Sequence, residues 1–180
     1  MLHFFKALSL RRGAWLLLAL SCAVLEGIAL YFQHGMGLNP CVMCIYERLA
    51  LFAILVSGLI GFLAPRSALV RWIAILIGLF GAIKGLNLAL KHTDYQLHPA
   101  PWNQCSPFVE FPETLPLNKW FPNLFEATSV DCAKITWKLF ELSMPQWLIG
   151  IFATYLVILI VVAISQFKRN RATKGRNLFR

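Results

Sequence analysis

Residues 40–64 read Pro-Cys-Val-Met-Cys-Ile-Tyr-Glu-Arg-Leu-Ala-Leu-Phe-Ala-Ile-Leu-Val-Ser-Gly-Leu-Ile-Gly-Phe-Leu-Ala, a Cys-x-x-Cys pair running into an apolar stretch that stops before Pro65. A helix that crosses a bilayer needs about 20 apolar residues, with a range of roughly 17–25. This run is long enough only if Ile45 to Arg48 belong to it, which puts the two cysteines at a membrane surface. Asn39 suits a helix N-cap and Pro40 the first helical position. Cys41 and Cys44 would then share one face of the first turns. Free amides and the helix dipole at that end favour a thiolate. Arg48, one turn after Cys44, faces the same way although a cation there opposes the dipole. It can serve as a thiolate's counter-ion or as a donor to an acceptor oxygen. Taken singly, these residues also have plain readings: half a zinc site or a structural pair for the cysteines, an interfacial anchor for the arginine.

The 180-residue chain is 58% apolar and only 14% charged, so membrane integration is the first inference. The net charge of +9 does not indicate nucleic acid, because the basic residues flank apolar runs instead of forming a face. Four runs qualify as spanning helices, at about 14–33, 45–64, 72–90 and 145–166. Trp15, Tyr31, Phe32, Trp72 and Trp147 fall near their ends, as an aromatic belt would. The fold expected is an all-α integral-membrane bundle of four transmembrane helices.

Loop charge sets the orientation. Lys6, Arg11 and Arg12 precede the first run, Arg66 and Arg71 separate the second and third, and six further Lys or Arg follow the fourth, with no acidic residue among them. The loop at about 34–44 has no Lys or Arg before the motif, and Lys91 to Met144 has four Lys against six Asp or Glu. The positive-inside rule places both termini in the cytoplasm, with a cytoplasmic tail at 167–180, and the loops at about 34–44 and 91–144 outside. A lipoprotein signal around Ser21-Cys22 is disfavoured by Ala19 and by an apolar run that continues well past Cys22.

Within the helices, Cys22 reads as a small packed residue and Glu26 as a neutral carboxyl hydrogen-bonded in the bundle, with a functional role as the alternative. Gly78, Gly81 and Gly85 are spaced for close helix approach. Lys84 should face protein or a polar cavity, since facing lipid is expensive. The loop from 91 to 144 holds six of the nine prolines and many large apolar residues. It should be irregular, with a short helix near 118–127 and part of it lying on the membrane surface.

Four cysteines, Cys41, Cys44, Cys105 and Cys132, fall on the outer side by this topology. Two disulfides are the default in that oxidising compartment. If both merely staple loops, a Cys105–Cys132 bridge is worth roughly 3–4 kcal/mol. A CxxC at a helix end closes too small a loop to staple much, so redox exchange is its natural use. A four-cysteine zinc site is the weaker alternative because the second pair lacks close ligand spacing, and no metal is assigned. Two disulfides on one side of a membrane can pass electrons by thiol–disulfide exchange. Electrons entering at the loop pair would leave from the CxxC pair to something that lives in the bilayer. A quinone fits, with its carbonyl oxygen accepting from Arg48.

Phe32-Gln33-His34, Pro40 to Arg48 of the motif, His92-Thr93, Cys105, Cys132 and Met144-Pro145-Gln146-Trp147-Leu148 together resemble the DsbB family of bacterial disulfide bond formation proteins. The likeness spans nearly the whole chain. It implies a thiol:quinone oxidoreductase of the bacterial inner membrane that, with a DsbA-like thioredoxin-fold partner, keeps the periplasm oxidising. It implies that the reduced partner attacks Cys105, that the released Cys132 exchanges with Cys41, and that Cys44 becomes the thiolate facing quinone (ubiquinone or menaquinone), supported by Arg48. His92 and Met144 would border the quinone site. A disulfide-stapled scaffold without activity, and a related oxidoreductase with a dedicated partner, are the other readings the residues allow.

Overall fold

The structure, a computed structural model, describes residues 2–100, 102, 105–106 and 131–167. The short helix expected near 118–127 and the tail from 168 lie outside the described residues. In chain order, a short helix α1 (Leu2–Ser9) precedes α2 (Arg12–Leu30), which runs into a π-helical turn at Tyr31–Gly35. Helix α3 (Val42–Leu63) and helix α4 (Ala68–Leu97) follow. A two-residue-strand hairpin, β1 (Lys138–Leu139) and β2 (Leu142–Ser143), leads directly into α5 (Met144–Phe167). Four of these helical segments are long and apolar enough to cross a membrane. Neither α1 nor the hairpin was expected, and α4 runs on to Leu97 past the expected end at 90.

Helix α3 is the centre of the bundle. It packs against α2 on one side and α4 on the other, and α4 packs against α5. Small residues set the spacing between these helices. A Cβ on Gly58 would lie 2.8 Å from the backbone nitrogen of Ala19, and one on Gly78 would lie 2.7 Å from Ser57 Oγ. Gly85 faces the ring of Phe152, which is fully buried, and Gly61 faces the indole of Trp15. Cys22 packs in the same core as Leu51, Ile54 and Phe152.

That packing corrects the expectation for Lys84. Its neighbours Gly81, Ala82 and Gly85 occupy the buried face of α4, leaving no room there for a long side chain. Lys84 is exposed on the outside of the bundle, with its ammonium 5.8 Å from the centre of the Phe80 ring.

At the end of the bundle away from the CxxC, polar side chains tie α1, α2, α4 and α5 together. Trp15 Nε1 donates to the carbonyl of Ser9 at 2.8 Å. Arg71 donates to Gln166 Oε1 at 2.7 Å and to the carbonyl of Pro65 at 2.8 Å, and Gln166 Nε2 reaches Ser9 Oγ at 3.1 Å. Among the described residues α2 and α5 make no comparably extensive contact. A largely apolar groove of about 770 Å³ lies between them, bridged where Tyr155 Oη donates to Ser21 Oγ at 2.9 Å.

The close approach of α4 to α5 makes Gly85→Ala an overpacking change, expected to cost about 1–3 kcal/mol. Gly150→Ala, whose Cβ would meet nothing within 4 Å, should cost nothing comparable. Detergent-induced unfolding of the two variants measures the difference, and equal midpoints would contradict this packing.

Candidate redox site

The CxxC pair starts α3, but the helix begins two residues later than the sequence suggested. Asn39 and Pro40 lie outside the helix, and Cys41 itself is the N-cap, with φ −78° and ψ 167°. Its sulfur accepts from the backbone N–H of Cys44 at 3.3 Å. A sulfur can fill the role usually given to a Ser or Asp oxygen, because the amide at this position has no partner inside the helix. The Cys41 and Cys44 sulfurs are unbonded and 2.7 Å apart. The second expected pair is closed: Cys105 and Cys132 form a disulfide, with Cα atoms 6.1 Å apart. Cys132 packs in one buried cluster with Cys41, Met43 and Tyr95, and Cys44 and Cys105 lie against it. The structure thus brings all four cysteines together.

Each side of the dithiol has its own surroundings. On the α4 side, His92 Nε2 lies 3.6 Å from Cys41 Sγ, and His92 Nδ1 lies 2.9 Å from Glu47 Oε1. All three residues are buried, and Glu47 is only 1% exposed. On the α2 side, Arg48 Nε pairs with Glu26 Oε2 at 3.2 Å, and its Nη1 donates to Gln33 Oε1 at 2.8 Å. Glu26 is hydrogen-bonded within the bundle, as expected, and its partner is the Arg48 guanidinium. At this depth in the bundle a cation and an anion from neighbouring helices lower each other's burial cost.

Cys44 and Arg48 open on a cavity of about 430 Å³, lined also by Phe32, Gln33, Met144 and Trp147. The hairpin helps close it: Trp147 Nε1 donates to the carbonyl of Leu139 at 3.1 Å, and the Trp137 ring lies 5.2 Å from that of Phe32. The Nη2 of Arg48 is buried and has no partner among the described residues. Leu25, Trp147 and Ile151 line both this cavity and the groove between α2 and α5, so the two are neighbours. Of the residues expected to border a quinone, Met144 lines this cavity. His92 does not; it stands behind the thiols, against Cys41.

Glu47 and Gln33 entered the sequence reading only within the stretches that carry the resemblance, with no role of their own, and Gln96 did not enter it. Glu47 carried a usable signal, since an acid three residues into an apolar run needs a partner and His92 is the histidine at the matching level of the third run. Gln33 carried only the resemblance of its stretch, and Gln96, an ordinary residue at a helix end, carried no signal.

Comparison with known proteins bears on the whole chain. The family model described as "Disulfide bond formation protein DsbB" matches residues 11–162. The chain belongs to the DsbB family. Proteins named "Disulfide bond formation protein B" from Histophilus somni (strain 129Pt) and Pasteurella multocida (strain Pm70) are 58% and 57% identical over 180 and 179 residues, covering 100% and 99% of each chain. A namesake from Yersinia enterocolitica is 56% identical over 179 residues, 99% of each chain. The protein is a multi-pass membrane protein-disulfide oxidoreductase acting in disulfide bond formation.

Cys41 lies just outside the spanning part of α3, and its thiol is lowered to about 5. The contact from the Cys44 thiol is the largest cause, with His92 and the Cys44 amide adding to it against the opposing effect of burial. Above that value the thiolate is the resident form, and it is lost as pH falls through it. Thiolate absorbance of the reduced protein should therefore rise with a midpoint near pH 5 and move upward in His92→Ala. A wild-type midpoint near the ordinary thiol value of about 8.5 would contradict the assignment.

Proposed function

We propose that the protein reoxidises a soluble thioredoxin-like thiol oxidase on the outer face of a bacterial inner membrane and passes the electrons to a quinone dissolved in the bilayer. The observation that carries this reading is the cavity at Cys44. Its volume is in the roughly 300–1,000 Å³ range of small-molecule sites. Its walls are mostly apolar, it adjoins the groove between α2 and α5, and a buried guanidinium beside it has one N–H set without a partner among the described residues. That is the complement of a flat carbonyl ring with a hydrocarbon tail. The distribution of basic residues supports placing the cysteines outside and both termini in the cytoplasm.

The chain's own groups then act in sequence. A partner thiolate attacks Cys105 Sγ, the Cys105–Cys132 bond breaks, and Cys132 leaves as a thiolate. The partner's second thiol closes its own disulfide and frees Cys105. Cys132, already packed against Cys41, exchanges with an oxidised Cys41–Cys44 pair and closes again with Cys105. The two electrons now reside on Cys41 and Cys44. The lowered Cys41 thiol makes it a good leaving group in this exchange. Bound quinone supplies a two-electron, two-proton acceptor. Arg48 would orient it through Nη2, which has no partner among the described residues, and re-formation of the Cys41–Cys44 bond completes the cycle.

Quinone reduction by purified protein, with a reduced thioredoxin-like protein as donor, tests the reading. Cys44→Ser should abolish turnover. Cys105→Ser should abolish turnover with the protein donor but leave Cys41–Cys44 reducible by a small dithiol. Arg48→Lys, which keeps the charge but not the spare donor, should raise the KM for quinone about tenfold, as loss of one charged hydrogen bond of about 1.5 kcal/mol would. Full turnover in Cys44→Ser, or equal loss of both half-reactions in Arg48→Lys, would refute these roles.

A further inference from the structure

The surroundings of the reduced pair have one property that electron transfer does not require. Cys41 Sγ, Cys44 Sγ and a nitrogen of His92 lie within 4.8 Å of one another. Thiolate–zinc bonds of about 2.3 Å and imidazole–zinc bonds of about 2.0–2.1 Å need ligand atoms spaced at this scale. The Cys41–His92 separation of 3.6 Å already suits a shared ion, and the two sulfurs need only side-chain rotation to part from 2.7 Å. The other nitrogen of His92 faces Glu47 Oε1 at 2.9 Å. A buried carboxylate behind an imidazole is the arrangement that fixes the tautomer and orientation of a metal-binding histidine.

The fourth position is also furnished. A small cavity of about 30 Å³ lies against Cys41, Cys44 and His92, and Gln96 lines it. Gln96 is four residues after His92, so both point from the same face of α4. Its Oε1 is buried with no hydrogen-bond partner among the described residues. That unpartnered oxygen can be a ligand itself, or can hold a water, for which the cavity is just large enough.

We propose that the reduced Cys41–Cys44 pair, with His92, forms a tetrahedral site for a soft divalent cation of the zinc class, with Gln96 or a water as the fourth ligand. Binding forms two metal–sulfur bonds and one metal–nitrogen bond, and releases to solvent the thiol proton of the pair and the proton that His92 Nε2 directs at Cys41. No group is oxidised or reduced. The oxidised pair has no thiolates to offer, so metal and disulfide exclude each other. A bound ion holds the protein reduced and unable to re-form the Cys41–Cys44 bond. This differs from the four-cysteine site considered from the sequence, since Cys105 and Cys132 take no part.

The test uses full-length protein in detergent, freed of quinone and with no donor, so its outcome is independent of whether quinone turnover is found. Zn²⁺ is titrated against a chromophoric chelator, and Co²⁺ serves as the spectroscopic probe. Reduced protein should bind one Zn²⁺ per chain and oxidised protein none. The Co²⁺ adduct should show the intense visible bands of tetrahedral coordination with sulfur charge transfer. His92→Gln and Glu47→Gln leave the dithiol intact and should each weaken Zn²⁺ binding by roughly 10–100-fold. Unchanged affinity in His92→Gln would reduce the finding to chelation by the dithiol alone and overturn the proposal. A six-coordinate Co²⁺ spectrum, or no binding to the reduced wild type, would overturn it without reference to any variant.

Discussion

The cost of burying charge within a membrane-spanning bundle organises this molecule. A lone carboxylate or guanidinium there is expensive, and removing one member of a buried pair typically costs about 3–5 kcal/mol. Helix α3 carries Glu47 and Arg48 in succession. Adjacent helical residues point about 100° apart, as 3.6 residues per turn requires. Glu47 therefore meets His92 on α4, while Arg48 meets Glu26 and Gln33 on α2 and its π-helical extension. The two contacts lock both neighbours to α3 at one level and fix its rotation. The cysteines one turn earlier inherit that rotation.

The result is a dithiol with two different sides. Cys44 shares a face with Arg48, and both open on the apolar cavity. Cys41 sits at the cap, against His92 and packed with Cys132 of the loop disulfide. One sulfur thus lies in the cluster with the loop disulfide and the other against the apolar cavity. A CxxC in the middle of an exposed helix would lack this division. The π-helical turn at Tyr31–Gly35 contributes to it, since it carries Gln33 to Arg48 and Phe32 to the rim of the cavity. Such turns recur at functional sites because they offset side chains from the regular helical register.

The opposite end of the bundle is built for anchorage. Ser9, Trp15, Arg71 and Gln166 satisfy one another and the nearby backbone there, and the glycines of α3 and α4 bring the helices close between the two ends. The groove between α2 and α5 is the side left open, and it adjoins the cavity at Cys44.

Four spanning helices, a CxxC at the head of the second and a cysteine-bearing loop facing it were all determined by the sequence alone. The physical reason is that these properties are one-dimensional: the length of an apolar run, the charge between runs, and the distance from a motif to the nearest run. The partners were decided only by the tertiary structure. Glu47 and His92 are 45 residues apart and Glu26 and Arg48 are 22 apart, and whether they meet depends on the rotation and relative height of separate helices. The same dependence turned Lys84 outward, where glycines had filled its inner face, and placed His92 behind the thiols instead of beside the cavity. It also moved the helix cap from Asn39 to Cys41, because a sulfur positioned by its neighbours could take the amide that an asparagine would otherwise have taken.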